Sequence, residues 1–325
     1  MDTRVRPNWM ADASFDHRRL GSLCLPGSHD SGAYRLQPIL APSTAQQVTP
    51  AAWAQRLEPM IRVLNWHPAI AAWSQAQKRS VAEQLGDGIR LLDLRICESA
   101  GALWIHHGLL GPHLEEILDD LATFIQNHPR EVLVVRATKF DVSSHAQVVD
   151  AITSRLDTHL FRRSEAEGRS PGELPMARLR GRLLWFYEPD DGNDVGTIDD
   201  RFWSSSTALY ADHWCPRARD VNALCRCQGA ALEHTSDPFH LQWILTPQPL
   251  LCGLDALRHS LRLSGRPYSL ASLSATLSSE RLSRFVEAFS HRHVAAISTD
   301  MYERSGHIPL AVDLSRNVPF SHLTT

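Results

Sequence analysis

The chain lacks a run approaching the roughly 18 consecutive apolar residues of a membrane span. Its first twenty residues hold Asp2, Arg4, Arg6, Asp12, Asp16, Arg18 and Arg19 and no apolar segment, so they do not read as a secretory leader. No G-x-G-x-x-G or P-loop occurs, which removes the usual phosphate cradle of an open, doubly wound nucleotide-binding sheet. A basic excess is also missing. Lys and Arg number 33 against 36 Asp and Glu, a net charge of −3, which speaks against a protein built to grip nucleic acid. Six cysteines over 325 residues are too sparse for a disulfide framework. Cys215, Cys225 and Cys227 fit no structural zinc spacing, so reduced, mostly buried thiols are expected. There is no internal repeat and no low-complexity linker. What remains, with 43% hydrophobic and 21% charged residues, is one globular domain with a sizeable core.

Short apolar runs alternate with helix-period segments. Strands are expected at Leu20–Pro26, Gly88–Cys97, Ala102–His107, Glu131–Ala137, Gly181–Tyr187, Thr207–Ala211, His240–Thr246 and His293–Thr299. Several are continuously apolar, as in Val132-Leu133-Val134-Val135 and Leu183-Leu184-Trp185-Phe186, the pattern of parallel strands buried on both faces. Leu114, Ile117, Leu118, Leu121 and Ile125 form one apolar helical stripe, and Val148, Ile152, Leu156 and Leu160 another. About eight strands in such alternation predict a (β/α) barrel, irregular rather than ideal. A helical insertion follows the first strand, over about residues 35–80, and carries Trp53, Trp66 and Trp73.

Barrel enzymes keep their sites at the C-terminal ends of the strands. Four segments put reactive side chains there. Leu25-Pro26-Gly27-Ser28-His29-Asp30-Ser31-Gly32 presents His29 and Asp30 after a Pro-Gly turn; its plain alternative is a polar turn with a surface histidine. In Gly88-Ile89-Arg90-Leu91-Leu92-Asp93-Leu94-Arg95, period-2 alternation sets Leu91, Asp93 and Arg95 on one face. An acid and a base inside an apolar strand are costly unless paired or used, and a structural ion pair is the competing account. In Leu103-Trp104-Ile105-His106-His107-Gly108, the two histidines face opposite sides, so one of them is structural. Asp300 ends the last strand, where a barrel brings it to the first strand and His29; by itself it reads equally well as a helix cap. Two histidines, an arginine and orienting carboxylates are what in-line phosphoryl transfer requires.

These segments resemble the X domain of phosphatidylinositol-specific phospholipase C, in its bacterial and X-domain-only forms. Leu25 to Gly32 is similar to the family's first catalytic motif, with Ser28 where Thr is more common. Gln84-Leu85 with Gly88-Ile89-Arg90 and Asp93-Leu94-Arg95 resembles its second strand, His107-Gly108 its second catalytic histidine, and Glu131 to Val135 its third strand. The resemblance spans about residues 8–315. It implies a distorted, incompletely closed TIM barrel in a single domain. It implies His29 as general base, His107 as general acid, Asp300 orienting His29, Asp30 supporting His107 and holding it protonated, and Asp93 fixing the network. Lys139, Asp212 and Trp214 would line an inositol pocket; Arg136 and His106 receive no role. Arg95 stands where the eukaryotic signalling enzymes carry an acidic calcium ligand, so the expectation is an enzyme without cofactor, the guanidinium replacing the ion. The expected substrate is phosphatidylinositol in membranes or micelles, met by a monomer through peripheral contact. The expected location is the cytoplasm or a membrane surface, with export by a leaderless route left open. The rival readings are a glycerophosphodiester-type phosphodiesterase and a non-catalytic phosphoinositide-binding barrel.

Overall fold

The computed structural model describes residues 7–42, 67–189, 199–204, 209–235, 238–247 and 269–317. The strands are β1 (Leu25–Ser28), β2 (Leu91–Ser99), β3 (Ala102–His107), β4 (Leu109–His113), β5 (Val132–Asp141), β6 (Arg182–Glu188), β7 (Ala211–Asp212), β8 (Phe239–Gln242) and β9 (Val294–Thr299). The helices are α1 (His67–Ser74), α2 (Val81–Asp87), α3 (Leu114–Asn127), α4 (His145–Leu156), α5 (Met176–Leu179), α6 (Val221–His234), α7 (Leu270–Ser274), α8 (Ser279–Ala288) and α9 (His307–Asn317).

Seven strands run parallel in the order β7-β8-β9-β1-β2-β5-β6. Among the described residues no ladder joins β6 to β7; Trp203 adds one parallel bridge to Phe186 on the β6 side. The sheet therefore curls as an incompletely closed barrel; the alternation predicted a (β/α) barrel, and the resemblance implied its incomplete closure. β9 lies beside β1, with Ser28 opposite Thr299. This adjacency of last and first strands is what carries Asp300 to His29.

Alternation along the strands sorts the core into layers. Leu91, Val132, Val134, Leu184 and Phe186 face inward and pack with Trp9, Phe15 and Leu20 from the N-terminal segment. Leu92, Leu94, Leu133, Val135 and Trp185 face outward, where the stripe of α3 (Leu114, Ile117, Leu118, Leu121, Ile125) and that of α4 cover them. On the other flank Leu241, Trp243 and Ile297 pack under α6, α8 and α9. Continuous apolar runs in β5 and β6 thus reflect burial on both faces, as expected.

The structure departs from the sequence reading in four places. Leu20–Ser22 is a 3-10 turn, and β1 begins only at Leu25, because Pro26 and Gly27 still pair with β9. β2 outruns β1 while staying paired to β5 as far as Cys97, and it folds back as an antiparallel hairpin with β3 and then β4, which the periodicity missed. Trp243 to Thr246 leaves the ladder after Gln242, and Thr207 lies outside the described residues. Cys215 and Cys227 form a disulfide, so these two are not the reduced thiols expected; Cys24, Cys97 and Cys225 are free. A twelve-residue separation brought back by a loop and a helical turn could not be read from spacing. Of the insertion, Trp53 and Trp66 lie outside the described residues, and Trp73 is buried against the layer under α6. No helix among the described residues is long and apolar enough to cross a membrane.

Candidate active site

The turn after β1 is held by buried amides. Gln77 donates to the carbonyls of His29 (2.7 Å) and Thr299 (2.9 Å). Gln84 accepts from Ser28 Oγ (2.7 Å) and donates to Ser31 O (2.7 Å). Ser31 N donates to Asp93 O, and Ser31 Oγ accepts from Asp93 N, both at 2.8 Å, which locks this turn to β2. Asp30 sits at φ 44°, a left-handed conformation that aspartate tolerates better than most residues. That turn aims the Asp30 carboxylate under both histidines.

Asp30 is the hub. Its Oδ1 receives Arg95 Nε, and its Oδ2 lies 3.3 Å from His107 Nε2 and 3.5 Å from His29 Nδ1. Burial alone would raise its pKa, but Arg95 and then the two histidines outweigh burial and bring it down to about 2. It is a carboxylate at every working pH.

His29 Nδ1 donates to Asp300 Oδ1 at 2.8 Å. Its Nε2 lies 3.1 Å from Arg95 Nη2. A guanidinium only donates, so this contact is the neutral tautomer with a bare Nε2. Burial disfavours the imidazolium, yet Asp30 and Asp300 together overcome burial and raise the pKa to about 9. When protonated, the ring has Asp93 Oδ2 3.9 Å from Nε2, an ionic contact rather than a hydrogen bond. Trp214 stacks on the ring, centroids 5.5 Å apart.

His107 differs. Nδ1 donates to Ser74 O at 2.6 Å and Nε2 faces Asp30, so both nitrogens have acceptors when the ring is charged. Burial nevertheless wins and lowers its pKa, against the expectation that Asp30 keeps it protonated. Asp30 shares its charge with Arg95, and Arg95 itself opposes a second cation. His106 is the structural member of the pair: it donates to Lys139 O at 3.0 Å, and burial pushes its pKa down to about 4.

Above this cluster opens a cavity of about 790 Å³, at the C-terminal ends of the parallel strands. His29, Asp93, Arg95, Lys139, Asp212 and Trp214 line it, and Asp30, His107 and Asp300 stand behind. All nine residues expected from the sequence thus come to one place. Arg136, left unassigned, lies in the wall: Nη2 pairs with Glu188 (2.8 Å) and Nη1 with Asp212 (2.8 Å). Asp212 also accepts from Gln242, and burial, which would raise its pKa, is outweighed by His240 and Arg136. Glu188, His240 and Gln242 were missed. The signal for Arg136 and Glu188 was present, because they continue the inward faces of Val132-Val134 and Leu184-Phe186, as Asp93 continues that of Leu91.

His29, Asp30 and Asp93 present ligand atoms within 4.8 Å of one another, the group in this cavity that could hold a metal. Arg95 contacts two of the three. The other such group among the described residues, His213 with Cys215 and Cys227, has both sulfurs in the disulfide.

No protein-family model matches the chain. It is 30% identical over 127 residues to PI-PLC X domain-containing protein 1 of Mus musculus, covering 38% of this chain and 35% of that protein. It is 26% identical over 144 residues to the 1-phosphatidylinositol phosphodiesterase of Staphylococcus aureus, covering 43% and 36%. The match thus spans little more than a third of these relatives' length. In structure it is similar to the phosphatidylinositol-specific phospholipase C of Listeria monocytogenes, with a TM-score of 0.65 at 15% identity over 97% of this chain and 99% of that one. The resemblance to X-domain proteins is borne out, and so is the incomplete TIM-like barrel.

Proposed function

We propose that the protein is a phosphodiesterase of the phosphatidylinositol-specific phospholipase C type that works without a metal. The observation that carries this reading is two imidazoles on one buried carboxylate, with a guanidinium between them, at the floor of a barrel-mouth cavity. The names of the curated and structural relatives support it.

His29 Nε2 takes the proton from the inositol 2-hydroxyl, whose oxygen attacks the adjacent phosphorus. Asp300 receives the Nδ1–H and stabilises the imidazolium that forms. Arg95 swings its donors from His29 to the non-bridging phosphate oxygens as their charge grows. His107 gives its proton to the departing diacylglycerol oxygen. The products are diacylglycerol and inositol 1,2-cyclic phosphate, which a slower second step opens with water. Lys139, Asp212 and Trp214 hold the sugar, with Trp214 stacking on its face. A calcium ion would need about six to eight oxygen ligands, whereas the group of His29, Asp30 and Asp93 offers two carboxylates, one already bound to Arg95 and His107, and the nearby Asp300 is bound to His29. That donor set does not fit calcium, and no step is assigned to it. The Cys215–Cys227 disulfide favours an oxidising compartment over the cytoplasm.

The test is a head-group release assay over phosphatidylinositol, its phosphates, phosphatidylcholine and glycerophosphoinositol. Release of cyclic inositol phosphate from phosphatidylinositol is expected. His29→Ala and His107→Ala should each lower turnover about 10²–10⁴-fold. Release of glycerol phosphate from glycerophosphodiesters in its place would give the site to the rival phosphodiesterase.

A further inference from the structure

Trp214 is 40% exposed and, with Ile39, makes up the large exposed hydrophobics among the described residues. The disulfide decides what stands next to it. Trp214 precedes Cys215 and Arg226 precedes Cys227, and the bond holds the two cysteine Cα atoms 6.2 Å apart. The aromatic rim of the cavity is thereby stapled to the first turns of α6.

There a second cleft opens, of about 360 Å³, lined by Arg219, Arg226 and Arg281 together with Val221, Leu273 and Thr276. Asp220, its one acid, uses its carboxylate as the helix cap, accepting from Ala223 N at 2.9 Å. Arg217 is exposed on the same loop. Among the described residues none of these four arginines has a carboxylate partner. Other surface arginines are matched, as in Arg155 with Glu115 and Asp119, Arg201 with Asp199, and Arg284 with Glu280. Arg19, Arg169, Arg304 and Arg316 are also exposed without a carboxylate partner among the described residues, but they do not line a cleft with one another. In a chain of net charge −3, three unmatched guanidiniums thus share one cleft on the helix that the disulfide ties to Trp214's loop.

We propose that this arginine-lined cleft docks the phosphates of an anionic lipid surface, with Trp214 at the interface, and so presents the membrane to the cavity. The inference rests on reading the cavity as a site for inositol phospholipids. Guanidinium forks suit phosphate, and an indole suits the boundary between headgroup and acyl chain. The α6 cleft supplies the charge, and the disulfide fixes its distance from the reacting centre.

The test uses sedimentation with vesicles that contain no inositol lipid, so that it does not depend on turnover. The full chain should bind phosphatidylcholine vesicles containing phosphatidylglycerol far better than phosphatidylcholine alone, and salt should weaken that binding. Each arginine near an anionic surface contributes about fivefold, so Arg219→Ser, Arg226→Ser and Arg281→Ser combined should cost about a hundredfold. Arg226→Ser alone, a single exposed change that spares the fold, should cost about fivefold. Turnover of soluble glycerophosphoinositol, if the cavity reading holds, should stay at the wild-type level in both. Loss of soluble turnover in the wild type would overturn the cavity reading and leave the vesicle result standing. Equal sedimentation of the triple variant and the wild type would overturn the docking proposal. So would inorganic phosphate stabilising the wild type but not the variant while neither binds vesicles, because the cleft would then take soluble phosphate.

Discussion

His29 and His107 share Asp30 yet lie on opposite sides of the ordinary histidine range, one raised to about 9 and the other lowered. In the proposed mechanism the productive form has His29 neutral and His107 charged, which is the minority arrangement between the two pKa values. The rate against pH should still be bell-shaped, with its acid limb set by His107 and its alkaline limb near 9. Asp300→Asn removes one of the carboxylates that raise His29, so the alkaline limb should move toward neutrality while the acid limb stays. A profile with both limbs unmoved in that variant would mean that Asp300 is not what charges His29. For stability, the raised His29 contributes fully below 6.5, and this is lost as pH climbs through 9; the lowered Asp30 contributes above 3.8, and this is lost as pH falls through 2. Arg95 gives the metal prediction. Activity should persist in excess EDTA, and Arg95→Asp should abolish it, since the phosphate charge then meets a carboxylate. Wild-type activity lost in EDTA and restored by calcium would refute the arginine-for-metal reading.

At the scale of elements, β7 and the loop that leads from it to α6 carry Asp212, Trp214 and Cys215; Arg136 and Gln242 hold the start at Asp212, and hydrogen bonds hold the middle. Thr246 donates to Cys215 O at 3.1 Å, and Gln228 donates to His213 O at 3.0 Å. The disulfide closes this short stretch onto α6. Cys215→Ser with Cys227→Ser should therefore cost about 3 kcal/mol in urea unfolding. It should also raise KM more than it lowers kcat, because in the proposed mechanism Trp214 and Asp212 hold the sugar and take no part in proton transfer. An unchanged KM would mean that the loop is held without the bond. The hairpin β2-β3-β4 is the other informative element. It exists because β2 extends past β1, and it is what delivers His107 to Asp30 Oδ2, the oxygen that His29 also faces.

Across the whole molecule, function and stability sit at opposite ends of the barrel. Arg90 and Glu131 precede β2 and β5 and form a fully buried pair at 2.7 Å. Arg90 also donates to Leu85 O and Ile89 O, at 3.0 and 2.6 Å, and to Pro7 O, and lies over the Phe124 ring. It ties the N-terminal segment, the lead into β2 and α3 to one point. Glu131→Ala leaves that cation buried and unmatched, so it should destabilise the fold by about 3–5 kcal/mol. Turnover per folded molecule should be unchanged, since the pair lies at the N-terminal face.

The sequence by itself determined the barrel and the reacting cluster. Continuous apolar runs could be satisfied only by parallel strands covered on both faces, and polar residues at the ends of such strands could point only into the mouth. Asp93 and Arg95 were legible because they break an apolar alternation where desolvation is costly, and His29, Asp30 and Asp300 because they follow strand ends; the roles of these residues, and that of His107, came from the family resemblance. Tertiary structure alone decided the rest. Which of His106 and His107 reaches Asp30 depended on a hairpin that periodicity did not reveal. The partners of Arg136 come from two other strands, and the Cys215–Cys227 pairing from a loop folding back on a helix, contacts that no local pattern encodes. The opposite shifts of the two histidines arise from burial set against shared charge, and that balance exists only once β9 has closed beside β1.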